Sequence, residues 1–250
     1  MSCRHHSSGL FSTIYKSVSK PMTLMSPAKL VALKVTVPST MLPPHDSHRE
    51  ARILKEAAHK FVTPLLEAFN YTPSQFVLVF PFYKYTFDNI LNSEPQLSLN
   101  QITTILQDIL CALEHIHQLG IIHRDVKPSN ILLSDPDGPA VLADFGIAWS
   151  PNDPASEPFY NKITDVGTTC YRPPEILFGG KFYGTGLDMW AFGCVAAECF
   201  TRGHEQLFDA GDLGSELTLI GSIFKKLGTP TAESWPVLSP TSSLRFYTLY

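Results

Sequence analysis

The sequence predicts an α+β chain built as two unequal lobes, a small strand-rich one followed by a larger, mainly helical one, with a cleft between them. Two features of the sequence carry that prediction. Runs of β-branched and aromatic residues cluster within the first 82 residues. Beyond them, residues 99–119 form a long amphipathic stretch, and residues 186–200 and 215–228 are two more apolar stretches of helical length.

Taken in order, TIYKSV and KLVALKVTV, around residues 13–18 and 29–37, read as strands joined by a polar, proline-containing connection. PSTMLPPHDSH is a loop by composition, and REARILKEAAHKF is a short helix. QFVLVFPF returns to strand character, and Pro81, which lacks an N–H, marks its end or an irregular edge. In LNQITTILQDILCALEHIHQL, Ile102, Ile105, Leu106, Ile109, Leu110, Leu113 and Ile116 recur at helical spacing, which predicts one buried stripe. Ser98 with Gln101 makes a capping box, and Gly120 is placed to stop the helix. ILLSDPDGPAVLADFG reads as a hairpin turning at DPDG. Residues 149–170 show little periodicity and form a long loop, a length that in a compact domain signals a task. No internal repeat or heptad pattern is present.

With 250 residues, 44% hydrophobic and 17% charged, the composition is that of a globular chain able to bury a sizeable core. The longest apolar runs are too short to span a bilayer, and MSCRHHSSG lacks the apolar core of a secretory signal. No membrane partner is expected. The five cysteines form no CxxC pair, which points to a reduced intracellular setting, nucleus or cytoplasm. The net charge of −4 hides an asymmetry. Residues 1–99 carry ten Lys/Arg against six Asp/Glu, and residues 100–250 carry nine against seventeen. That is no nucleic-acid footprint. An acidic second half is compatible with a basic protein substrate.

The chemistry concentrates in HRDVKPSN, residues 123–130. Asp125 is placed to orient or accept the proton of an attacking hydroxyl, and Lys127 to neutralise charge on a transferred phosphoryl group. Asn130 precedes a strand-like run, and the hairpin brings Asp144 back toward it. An amide oxygen and a carboxylate together make a hard, oxygen-rich site suited to Mg²⁺. His123 reads as a packed, hydrogen-bonded residue, and Arg124 as a holder of the long loop through a carboxylate or a phosphate.

In this order the motifs resemble the protein kinase family, and within it the cyclin-dependent kinase branch. VALK supplies Lys34, REARILKEA supplies Glu50, HRDVKPSN supplies Asp125, Lys127 and Asn130, DFG supplies Asp144, and PPE ends at Glu175. The branch likeness rests on PPHDSHREARILKEA, YRPPEILFGG, GTGLDMWAFGCVAAE and SIFKKLGTPTAESWP. The resemblance implies a bilobal protein-kinase-like fold over residues 1–250. Its β-rich N-lobe and the start of the hinge would be 1–82, and a partial helical C-lobe 83–250, with both ends short of the family pattern. ATP and Mg²⁺ are the implied cofactors. Lys34 would hold the α- and β-phosphates and pair with Glu50, and Asn130 and Asp144 would carry Mg²⁺. Asp125 would accept the proton, supported by Thr168. Adenine would sit between Ala32 and Leu132 against the backbone of Pro81, Phe82 and Tyr83, with Phe80 at the rear. Lys127 marks the serine/threonine class, Arg172 resembles the arginine that favours proline after the acceptor, and Asp188 the aspartate that anchors the catalytic loop. The implied partners are a protein substrate and a cyclin-like activator at the Glu50 helix, although HDSH before Glu50 leaves that dependence open.

Three departures qualify the likeness. In the phosphate loop SSGLFSTIYK only Gly9 keeps an expected glycine, while Ser7 and Ser12 replace the others and Ser8 lies between; backbone bonds to phosphate remain possible. The regulatory phosphothreonine position falls at Ile163, beside Thr164. Either the register shifts by one and Thr164 is phosphorylated, or the loop is held without phosphate, as in fungal kinases that activate cyclin-dependent kinases. The helices that would supply a basic partner for Glu175 are missing, so the alternative to catalysis is a kinase-like interaction module.

Overall fold

The computed structural model describes residues 4–19, 28–231 and 233. The proline-containing connection expected after residue 19 and the last part of SIFKKLGTPTAESWP lie outside the described residues.

The first lobe is a five-stranded antiparallel sheet with one helix. Strands β1 (Arg4–Ser8), β2 (Ser12–Val18) and β3 (Leu30–Thr36) follow one another. Helix α1 (Ser47–Glu56) comes next, then β4 (Glu67–Asn70) and β5 (Phe76–Pro81). The strand order is β1-β2-β3-β5-β4. Alternate residues of β5 serve two cores. Phe76 and Leu78 pack with Ala51 of α1, whereas Val77 and Val79 pack with Val31 of β3. That follows from the two-residue period of a strand buried on both faces. Helix α1 starts where Asp46 accepts a hydrogen bond from the Arg49 amide, a side-chain cap at 2.9 Å. It ends at Glu56, short of the Phe61 expected from sequence.

The second part opens with β6 (Tyr85–Thr86), α2 (Phe87–Leu91) and α3 (Leu99–Gln118). Strands β7 (Ile131–Leu133) and β8 (Ala140–Leu142) form the expected hairpin, in a small sheet ordered β6-β7-β8. Helices α4 (Pro174–Leu177), α5 (Gly186–Glu198) and α6 (Glu216–Leu227) follow. The capping box at Ser98 and Gln101 is formed, and Gly120 ends α3 with a φ of +75°.

The buried face of α3 is Ile102, Ile105, Ile109, Ala112, Leu113 and Ile116, all within the main core. Each such isoleucine or leucine contributes on the order of 2 kcal/mol by leaving water. Leu110, expected in that stripe, is exposed, and Leu106 is only partly buried. The stripe tilts to include Asp108 instead, whose carboxylate accepts from the Ala140 amide at 3.0 Å and so ties α3 to β8. Ile53, Leu54 and Ala57 at the end of α1 belong to the same core, which joins the two lobes.

Candidate active site

Lys34, Glu50 and Asp144 come from three different elements and meet at one point. The register of β3 sets Lys34 opposite Ile14 on one side and Leu78 on the other. Its Nζ donates to Glu50 Oε1 and Oε2 at 2.7 and 2.9 Å and to Asp144 Oδ1 at 2.7 Å. Glu50 sits in the first turn of α1, and the helix start is fastened to the segment after β8 by the Asp46 amide donating to Gly146 O. A side chain at Gly146 would crowd Asp144. A Cβ there would lie 3.2 Å from Asp144 Oδ1 and 3.4 Å from Lys34 Nζ.

In the triad the buried Lys34 and Glu50 meet an Asp144 carboxylate that is half exposed to the cleft. Burial pulls the Lys34 ammonium down, but Asp144 and Glu50 more than reverse it, so it sits above the ordinary lysine value. Burial pushes the Glu50 carboxyl up to about 7, against the pull of Lys34. The charge of Lys34 holds Asp144 well below the usual carboxylate range in spite of burial. Asp144 therefore stays an anion, the form a metal ligand needs.

The loop from His123 to Asn130 holds the second constellation. Asp125 Oδ1 accepts from the amide and hydroxyl of Thr168 at 3.0 and 2.9 Å. Its Oδ2 is 2.8 Å from Lys127 Nζ, and Lys127 donates to Thr168 Oγ1 at 2.7 Å. The Asn130 amide nitrogen donates to Asp125 O and Oδ2 at 2.8 and 3.0 Å, which leaves its oxygen as the ligand-type atom. The structure thus brings Asp125, Lys127, Asn130 and Thr168 into one network.

That network is held from beneath by Asp188, whose side chain is fully buried. It accepts from the amides of His123 and Arg124, both at 2.9 Å, and lies 2.8 Å from His117 Nε2. Arg124 and Asp144 have φ of +71° and +64°, a left-handed conformation that costs a residue other than glycine roughly 1–3 kcal/mol. The Asp188 bonds offset that strain at Arg124. His123 is buried as expected, with Nε2 donating to Ala143 O, Nδ1 accepting from the Asp125 amide, and its ring edge-on to Phe145.

One cavity gathers Gly9, Ser12, Lys34, Asp125 and Asp144 together with Leu10, Phe11, Met41, His45, Gly146 and Ile147. Gly9 closes the turn between β1 and β2 through its amide to Ser12 O at 2.8 Å. Ser7 and Ser8 lie outside this lining, on the exposed strand β1. Ala32, facing Phe80 across the β3–β5 pair, and Leu132 on β7 are partly buried, as are Pro81, Phe82 and Tyr83. These six do not line that cavity. His45 was not foreseen. Its ring stacks at a tilt against Phe11 at 4.6 Å, and burial lowers its pKa below the ordinary imidazole value. It lies in a stretch whose composition says only loop, so no local pattern marks it.

Comparison with known proteins gives the family. Residues 7–243 match the protein kinase domain family. The serine/threonine-protein kinase csk1 of Schizosaccharomyces pombe is 35% identical over 240 residues, covering 94% of this chain and 75% of that protein. Cyclin-dependent kinase 7 of Xenopus laevis is 38% identical over 234 residues, and that of Carassius auratus 35% over 235. Each alignment covers 92% of this chain, which spans 63% and 64% of the length of those two relatives. A strand-rich lobe on a helical one, with an ion-paired lysine and a braced aspartate between them, defines a phosphoryl-transfer domain. The chain belongs to the protein kinase family, in its cyclin-dependent kinase-like part.

Proposed function

We propose that this chain transfers the γ-phosphoryl group of ATP to serine or threonine hydroxyls of a protein substrate, with proline preferred after the acceptor. The observation that carries the proposal is Asp125, fixed by Thr168, Lys127 and Asn130 beside the Lys34–Glu50–Asp144 triad.

Asp125 orients the substrate hydroxyl and takes its proton as the new phosphorus–oxygen bond forms and the bond to the departing ADP breaks. Lys127 neutralises charge on the group in transit, and Lys34, kept cationic and aimed by Glu50, holds the α- and β-phosphates. The donor set suits Mg²⁺: an anionic Asp144 carboxylate and the Asn130 amide oxygen are hard ligands that leave positions for phosphate oxygens. When bound, the ion would neutralise phosphate charge. Such a site works by positioning and electrostatics.

The preference for proline is supported by Gly167 and Arg172. Gly167 has a φ of +73°, and a Cβ there would lie 2.5 Å from Arg124 O. Its carbonyl accepts from Arg172 Nε and a terminal nitrogen at 3.1 and 3.0 Å. A carbonyl so engaged offers nothing to the N–H of the residue after the acceptor, and proline has none. The four unpaired cysteines among the described residues support a reducing, intracellular setting. A cyclin-like activator would act at the Glu50 helix, α1.

The test is transfer from ATP to two peptides that differ only in proline or alanine after the acceptor. Wild-type protein is expected to favour the proline peptide, and Asp125→Asn to lose at least about a hundredfold in kcat with ATP binding retained. An unaffected Asp125→Asn variant would defeat the assignment. If both variants bind ATP and neither transfers phosphate to any protein, the interaction-module reading, favoured by Ser7 and Ser12 in place of glycines, takes over.

A further inference from the structure

We infer that Glu157 is a positioning residue for the transfer reaction, a built-in anion that holds Arg124, and through it Asp125, where a phosphate on the loop would otherwise be required. The inference rests on the kinase reading and extends it to how the site is kept in its working form.

The Arg124 side chain is fully buried, and its two terminal nitrogens donate to Glu157 Oε1 and Oε2 at 3.1 and 3.2 Å. This is the paired geometry in which a guanidinium fork meets a carboxylate. Glu157 is itself fixed at its backbone, since its carbonyl accepts from Trp149 Nε1 at 2.8 Å. Burial pushes its carboxyl up, yet the Arg124 bonds win and hold it below the ordinary value, so it is charged. Arg49 adds to that field from α1 and donates to Ala155 O at 3.1 Å, two residues away. Arg124, the arginine that a loop phosphate would meet, thus already holds a carboxylate of the same loop, with Arg49 close enough to add to its field.

The rest of the loop is fastened in a way that argues against phosphate on Thr164. Ile163 packs into an apolar cluster with Trp149, Val166, Tyr183 and their neighbours. Next to it, the buried Lys162 ammonium donates to Phe159 O and Tyr183 O at 2.7 and 2.9 Å and lies over the Trp149 ring at 4.6 Å. Bringing Thr164 to Arg124 would pull Ile163 out of its cluster and Lys162 off its acceptors.

Arg124 connects this anchor to chemistry because it directly precedes Asp125. Its amide is held by Asp188 and its side chain by Glu157, so Asp125 starts from a backbone fixed on both sides. Loss of the Glu157 charge would leave the buried Arg124 guanidinium without its carboxylate partner, within the field of Arg49.

The experiment uses protein made in bacteria, shown free of phosphate by intact mass, with transfer to the proline peptide as readout. Wild-type protein is expected to turn over without prior treatment by another kinase. Glu157→Gln should lower kcat by about tenfold or more while KM for ATP stays within about twofold, and Glu157→Asp should recover part of the loss. A purely structural role would move thermal stability without that split or that rescue. Thr164→Ala should match wild type, and it carries the test should Glu157→Gln fail to fold. A wild-type rate in Glu157→Gln, or a chain that binds Mg-ATP but turns over only once Thr164 is phosphorylated, would overturn the inference and leave the kinase reading intact. Absence of Mg²⁺-dependent nucleotide binding would overturn the kinase reading, and the inference with it.

Discussion

Glu50 is the residue where burial and charge are most nearly balanced, and its titration is exposed to measurement. A carboxyl raised in the fold binds its proton more tightly there than in the unfolded chain. Its contribution to stability is therefore fully present below its ordinary value of 4.5 and is lost as the pH climbs through about 7. Asp144 behaves in the opposite sense, since its contribution is present above 3.8 and fades as the pH falls. Between pH 5 and 8 only Glu50 of the triad changes charge. The thermal stability of wild type relative to Glu50→Gln should accordingly shrink across that interval, as melting curves of both proteins would show. Curves that stay parallel would mean that Glu50 is not perturbed. Asp125, Lys127, Asn130 and Asp144 were legible in the sequence because each sits in a short stretch whose neighbours are equally constrained. Glu157 and His45 were not, because each is a lone residue in an irregular segment whose partner is fixed only by the tertiary path.

Helix α1 is the element on which the triad depends, and the chain's own loop holds it from outside. Arg52 makes a paired contact with Asp153 at 2.6 and 3.0 Å, and Glu56 accepts from Asn152 at 2.8 Å. Arg52 is half exposed, so this pair contributes about 1 kcal/mol or less to stability. Its larger effect is on position, since it keeps Glu50 turned toward Lys34. For Arg52→Ala, kinetics should show a raised KM for ATP with kcat at saturating ATP close to wild type. An unchanged KM would assign the orientation of α1 to its buried residues alone. Elements with a strong period were legible: β2, β3, β5, α3 and the β7–β8 hairpin all appear within one or two residues of expectation. Strand β4 and helix α2 were missed because each is too short to show a period. The misplacement of Leu110 reflects the choice of Asp108 to cap the edge of β8, a contact that α3 cannot announce by itself.

At the scale of the whole molecule the site is an assembly of distant segments. Lys34 and Asp144 lie 110 residues apart in sequence, and the Arg124 amide reaches 64 residues to Asp188. The hairpin in the sequence foresaw that Asp144 would return toward Asn130, and the resemblance to a family foresaw that Lys34 and Glu50 would join them. Glu175 shows what the resemblance leaves open, because burial raises its carboxyl and it forms no ion pair among the described residues. Transfer requires Asp144 and Asn130 to present oxygen ligands for a magnesium–nucleotide complex. The most direct measurement is the melting temperature with ATP, in the presence of Mg²⁺ and then of a chelator, for wild type and Asp144→Asn. With Mg²⁺ and ATP at about a hundred times its dissociation constant, wild type should rise by roughly 5–10 °C. The chelator and the Asp144→Asn substitution should each remove most of that rise. An equal rise in all cases, or none in any, would contradict that requirement.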